Sequence, residues 1–144
     1  MVAKLLIAWC LLALTVTIHA AGLSAILRGG LSRLPEMRFW AMTGLLVRVA
    51  WWLVLLHLAE ISVWALFYWW QKCLPDAESA FYFSGVTYTT VGYGDLVLPK
   101  EWRLLGPVEG LTGILMCGLS TGLFFAVVTK LFLRPKTRPD RTDA

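Results

Sequence analysis

Three long apolar runs limit what this chain can fold into more than any other feature. The first, residues 5–27, is interrupted only by Thr15, Thr17, His19 and Ser24; the second covers about 39–70 and the third about 102–133. A helix rises about 1.5 Å per residue, so roughly 20 apolar residues cross a hydrocarbon core about 30 Å thick. The first run is long enough to cross, and the other two must tilt or project beyond the bilayer. With 58% hydrophobic and 15% charged residues in 144, the chain has too little polar surface to cover a soluble single-core domain. It reads as an integral, multi-pass membrane protein.

Aromatic residues mark the ends of the runs: Phe39 and Trp40 at one interface, Phe67 to Trp70 at the other, and Trp102 at the head of the third. The formal charge is +4, but the basic residues sit at run ends and do not form one patch, so nucleic acid is not an expected partner. Cys10 and Cys117 fall inside apolar runs and only Cys73 lies in a loop, which gives no disulfide framework and no cysteine metal-ligand spacing. Small buried hydrophobes are the ordinary reading of all three. Cys73 keeps a second one, a bridge between subunits in an oxidising compartment.

Between the second and third runs, Pro75, Asp76 and Glu78 read as a helix start with Asp76 as N-cap. The segment 77–88 that follows is too short to span and suits a re-entrant helix buried within protein. Its return path is 89–95, TTVGYGD. In a bilayer, such non-helical backbone must be covered by protein or line water, because each unpaired N–H or C=O costs several kcal/mol. Gly92 and Gly94 supply backbone angles that a Cβ would obstruct.

Lys and Arg are retained on the cytoplasmic side during insertion. If the re-entrant segment is outside, the cytoplasmic side collects Arg28, Arg33, Arg38, Lys130, Arg134, Lys136, Arg138 and Arg141, against Lys4, Lys72, Lys100 and Arg103 outside. The expected topology is therefore an extracytoplasmic N-terminus and a cytoplasmic C-terminus in the cell (inner or plasma) membrane. A cleaved signal peptide ending near Ile18-His19-Ala20 is the competing reading of the first run; it would leave Arg28, Arg33 and Arg38 outside and reverse the charge rule.

The stretch TTVGYGDL, after a half-span and between two membrane helices, resembles the pore module of potassium channels, with one N-terminal helix added to the two-helix unit. The resemblance covers roughly 39–133. It implies that the Thr90 hydroxyl and the carbonyls of Thr90, Val91, Gly92 and Tyr93 replace the hydration shell of K⁺, with Gly94 completing the filter. Thr89, Val86 and Asp95 are then filter support and outer mouth; many members carry an acid at the place of Val86. One filter strand cannot enclose an ion, so the resemblance implies a homotetramer.

The implied fold is an all-α membrane protein: three transmembrane helices plus a re-entrant pore helix and an extended selectivity filter per subunit. Its parts are 1–30, an extra helix; 31–38, a basic cytoplasmic loop; 39–133, the pore domain; and 134–144, a basic tail. Within the pore domain the outer helix is 39–71, the pore helix 77–88, the filter 89–95 and the inner helix 102–133. The expected function is passive, potassium-selective conduction with no catalysis, no organic cofactor and K⁺ as the permeating ion. A nonconducting or regulatory subunit, or a subunit of a potassium uptake system, is the alternative use of the module.

On the inner helix, small residues at a four-residue spacing allow close helix crossing. By the resemblance, Gly113 or Gly118 is a hinge candidate, and Leu115, Gly118, Gly122 and Ala126 are cavity-lining candidates. His57 and Glu60, three apart, share a helix face and form a candidate structural or proton-sensing pair, with Arg103 or Glu109 as alternative partners. The first run lacks the repeated arginines of a voltage sensor. Membrane lipids are expected partners, and the basic tail is a candidate contact for anionic lipid.

Overall fold

The computed structural model describes residues 2–30 and 39–132, which form four helices: α1 (Val2–Gly30), α2 (Phe39–Trp70), α3 (Ala77–Tyr88) and α4 (Leu105–Phe132). No β-sheet pairing occurs among the described residues, where the extended segment 89–95 stands alone, and α1, α2 and α4 are long and apolar enough to cross a membrane. The protein is an all-α membrane protein. The loop 31–38 and the tail 133–144, which carry Arg33, Arg38, Arg134, Lys136, Arg138 and Arg141, lie outside the described residues.

Helix α2 contains no proline and is apolar nearly all round, so a helix satisfies its whole backbone internally. It stops at Lys72, which adopts φ 53°. The Cys73 N–H donates to the Tyr68 carbonyl (2.9 Å) and the Lys72 N–H to that of Trp69 (3.0 Å), a paired closure that satisfies the last free carbonyls. This turn seats Cys73, 6% exposed, in a core cluster with Trp64, Tyr68, Phe83 and Leu105. Burial pushes its thiol pKa up.

Asp76 caps α3: its carboxylate accepts from the Ser79 N–H (2.8 Å) and the Ser79 hydroxyl (3.1 Å). These bonds hold the Asp76 carboxyl below the usual carboxylate range. A depressed pKa means that the cap contributes fully above the ordinary value and is lost as pH falls through the folded one. Asp76→Ala should lower the thermal midpoint at pH 7, and the gap from the wild type should close in strong acid. A gap independent of pH would show that the carboxylate is not what caps the helix.

Helix α4 begins at Leu105, three residues later than the sequence suggests, with residues 100–104 in turns. Pro107 is the physical reason. It lacks an N–H and is tolerated in the first turn of a helix, where that donor has no partner, whereas a start at Trp102 would place it where an internal bond is required.

Helix α1 turns Ala8, Leu11, Thr15 and His19 inward, one stripe at three- and four-residue spacing, and packs against both α2 and α4. Ile18-His19-Ala20 lies in mid-helix. Helix α3 sits between α2 and α4 and packs on both. At its C-terminal end the chains approach closely: a Cβ on Gly113 of α4 would overlap the Tyr88 carbonyl oxygen and lie 2.8 Å from the carbonyl carbon.

Candidate functional site

Helix α3 hands the chain directly to the TTVGYGD strand. Thr89 is its C-cap, with φ −78° and ψ −2°, and its N–H and hydroxyl both donate to the Gly85 carbonyl (3.1 and 2.7 Å). The Thr90 N–H donates to the Thr87 carbonyl and the Gly92 N–H to the Val86 carbonyl, each at 3.0 Å. Val86 therefore supports the strand through its backbone.

Backbone handedness alternates along the strand. Thr90, Gly92 and Gly94 have φ of 62°, 54° and 79°, while Val91 and Tyr93 between them are not in the positive region. In a regular β-strand successive carbonyls point to opposite sides; alternating the sign of φ turns them toward one side. Glycine makes this cheap at 92 and 94, where a Cβ would meet nothing within 4 Å among the described residues of the single chain, so within it the requirement is conformational and not one of space. Thr90 has no such freedom. A β-branched residue held at positive φ costs on the order of 1–3 kcal/mol, and such strain collects where backbone geometry is functional.

Residues 89–95 are all exposed in the single chain, Val91 at 51% and Tyr93 at 72%. Asp95 accepts from the Tyr82 hydroxyl at 2.8 Å, which ties the end of the strand to the first half of α3. Tyr82 was not singled out from sequence because the partner sits thirteen residues upstream, a separation that follows from the fold-back and matches no short motif.

Behind α3 lie two buried polar clusters. In one, Glu60 of α2 lies 2.7 Å from His19 Nδ1 of α1 through Oε1, and its Oε2 accepts from the Tyr88 hydroxyl. His57 Nδ1 is 2.9 Å from the same hydroxyl and 3.6 Å from Glu60. In the other, Glu109 of α4 accepts from the Tyr68 hydroxyl (2.7 Å) and contacts the Ser84 hydroxyl, which also reaches the Ile61 carbonyl oxygen at 2.9 Å. Both carboxylates are fully buried, and each is held by hydrogen bonds to α3.

His57 and Glu60 thus lie side by side, 3.6 Å apart, with His19 and Tyr88 added to the cluster, whereas Arg103 and Glu109 have other partners. Glu109 meets Tyr68, two helical turns along α2 from Glu60, and Arg103 Nε donates to the Leu98 carbonyl (3.4 Å). His19 is the residue that sequence reasoning missed. Its signal was present: Thr15 and His19 are four apart in an apolar helix, and intramembrane polar groups need partners. Thr15 accepts from the Trp64 indole N–H at 3.1 Å. On α4, Leu115, Gly118, Gly122 and Ala126 share an exposed face, whereas Gly113 is buried against Tyr88.

Three membrane-length helices, with a half-length helix and an extended segment folded back between the second and third, make up an all-α membrane protein of the kind a channel requires. The chain belongs to the ion channel family, whose sequence profile matches residues 52–130, from α2 through α3 and the strand to the end of α4. No curated protein and no solved structure matches it.

Proposed function

We propose that this ion channel is potassium-selective and that four copies of the chain surround one conduction path. The observation that carries the reading is the alternation of φ at Thr90, Gly92 and Gly94 within TTVGYGD, which supports one row of carbonyls per chain. In this reading the Thr90 hydroxyl and the carbonyls of Thr90, Val91, Gly92 and Tyr93 replace the water around a dehydrated K⁺. Four strands supply a closed ring of such oxygens, and the neighbouring chains cover Val91 and Tyr93. The C-terminal end of α3 adds its partial negative charge on the inner approach, and Asp95 attracts cations at the outer mouth. Leu115, Gly118, Gly122 and Ala126 line the cavity beneath.

The proposed topology follows the basic residues, with the N-terminus outside, the C-terminus in the cytoplasm and the pore loop facing out. Conduction is passive, K⁺ is the permeating species and no organic cofactor takes part. Lipid surrounds the assembly, with anionic lipid at the basic tail.

The test is ion flux into liposomes carrying the purified protein, with potassium and sodium gradients set separately. Potassium uptake should exceed sodium uptake by well over tenfold, a difference of at least about 1.4 kcal/mol between the two ions. Gly94→Ala should abolish it, because alanine at φ 79° is strained whatever the space. Equal flux of both ions would overturn potassium selectivity. A stable tetramer that passes neither ion would favour a nonconducting subunit.

A further inference from the structure

We propose that His19, His57 and Glu60 form a binding site for a divalent transition-metal cation of the zinc class, and that the bound ion fastens α1 to the pore module. The site does not depend on which ion the pore conducts. These three residues each offer one ligand atom, and the three atoms lie within 4.8 Å of one another. They come from two helices: His19 from α1, His57 and Glu60 from α2.

Two imidazoles and one carboxylate are a ligand set that zinc uses with one coordination position left over. In a tetrahedral site with bonds of about 2.0–2.2 Å, neighbouring ligand atoms stand roughly 3.3–3.5 Å apart. Here His19 Nδ1 and Glu60 Oε1 are 2.7 Å apart, and His57 Nδ1 and Glu60 Oε2 are 3.6 Å apart, so small side-chain adjustments reach that geometry. The Tyr88 hydroxyl is in contact with both His57 and Glu60.

A hydrogen-bond partner for the far ring nitrogen orients a metal-bound histidine. Ser120 Oγ of α4 lies 3.4 Å from His19 Nε2, so His19 can keep its proton on Nε2, donate it to Ser120 and present Nδ1 to the ion. Charge supports the same occupant. With neutral imidazoles, Glu60 would hold a negative charge away from water with no Lys or Arg in contact among the described residues, and a cation removes that cost. His57, 20% exposed, opens the site on one flank.

The experiment uses the full chain in detergent, stripped with a chelator and titrated with Zn²⁺ alone by calorimetry, and with Co²⁺ in parallel for its visible spectrum. One saturable Zn²⁺ event per chain is expected. His19→Gln and His57→Gln should each weaken it at least tenfold, and Ser120→Ala by about 10- to 100-fold. Co²⁺ should give the intense visible bands of a low-coordinate nitrogen and oxygen site. His57→Gln is the milder change because His57 is the least buried ligand, and the wild-type cobalt spectrum needs no variant to fold. No saturable binding, unchanged affinity in both histidine variants, or a cobalt–thiolate band in the near ultraviolet would overturn the proposal.

Discussion

Gly113→Ala should prevent α4 from closing on α3. The added Cβ overlaps the Tyr88 carbonyl oxygen and comes within 2.8 and 3.2 Å of the Tyr88 carbonyl carbon and Cα. These are backbone atoms at the last residue of α3, so no rotamer change relieves the contact and one helix must move. Overpacking of this kind costs about 1–3 kcal/mol, and more where the neighbour cannot yield. Because Tyr88 is followed directly by the TTVGYGD segment, the displacement also reaches Thr89 and Thr90. The expected result is a large fall in folded yield by size exclusion, a lower thermal midpoint and reduced ion flux. Gly118→Ala is the stability control, since nothing among the described residues lies within 4 Å of its added Cβ and alanine favours the helix. Equal stability for Gly113→Ala and wild type would mean that α4 does not approach Tyr88 this closely. Gly22→Ala also meets a neighbour, but there the obstacle is the movable end of the Leu56 side chain, and the effect should be small.

The second large effect is expected for Glu60→Ala. One buried carboxylate serves His19, Tyr88 and, at longer range, His57. Its loss leaves the Tyr88 hydroxyl and His19 without that partner and opens a cavity among three helices. Each buried polar group left unpaired costs about 1–3 kcal/mol, and the cavity adds to that. Tyr88→Phe removes only one of these bonds and should cost about 1–3 kcal/mol. The measurement is thermal denaturation of all three proteins in one detergent, with flux as a second readout. If Glu60→Ala loses no more than Tyr88→Phe, the carboxylate does not organise the cluster.

Much of the architecture was legible because a bilayer restricts the choices. Apolar runs of this length have to be helices, Pro75 and Asp76 mark a helix start, and the half-span 77–88 coincides with α3. The positive φ at Gly92 and Gly94 was legible too, since glycines there answer a backbone need that can be stated without coordinates. The helix starting at Leu105 was less so, because Trp102 extends the apolar pattern while Pro107 fixes the first turn.

Local pattern, by itself, determined the spans, the fold-back and the strand that carries the carbonyls, because each follows from hydrogen-bond satisfaction and glycine's freedom within a few residues. Only the tertiary structure decided which polar groups meet. Glu60 faces His19, 41 residues away, and Tyr88, 28 residues away; Glu109 faces Tyr68, also 41 residues away. Helix rotation and crossing set those partners, and they depend on packing across the whole assembly of helices. For the same reason Gly113 and Gly118 look alike in sequence and differ in the fold: one helix face meets the Tyr88 backbone, and the other is open.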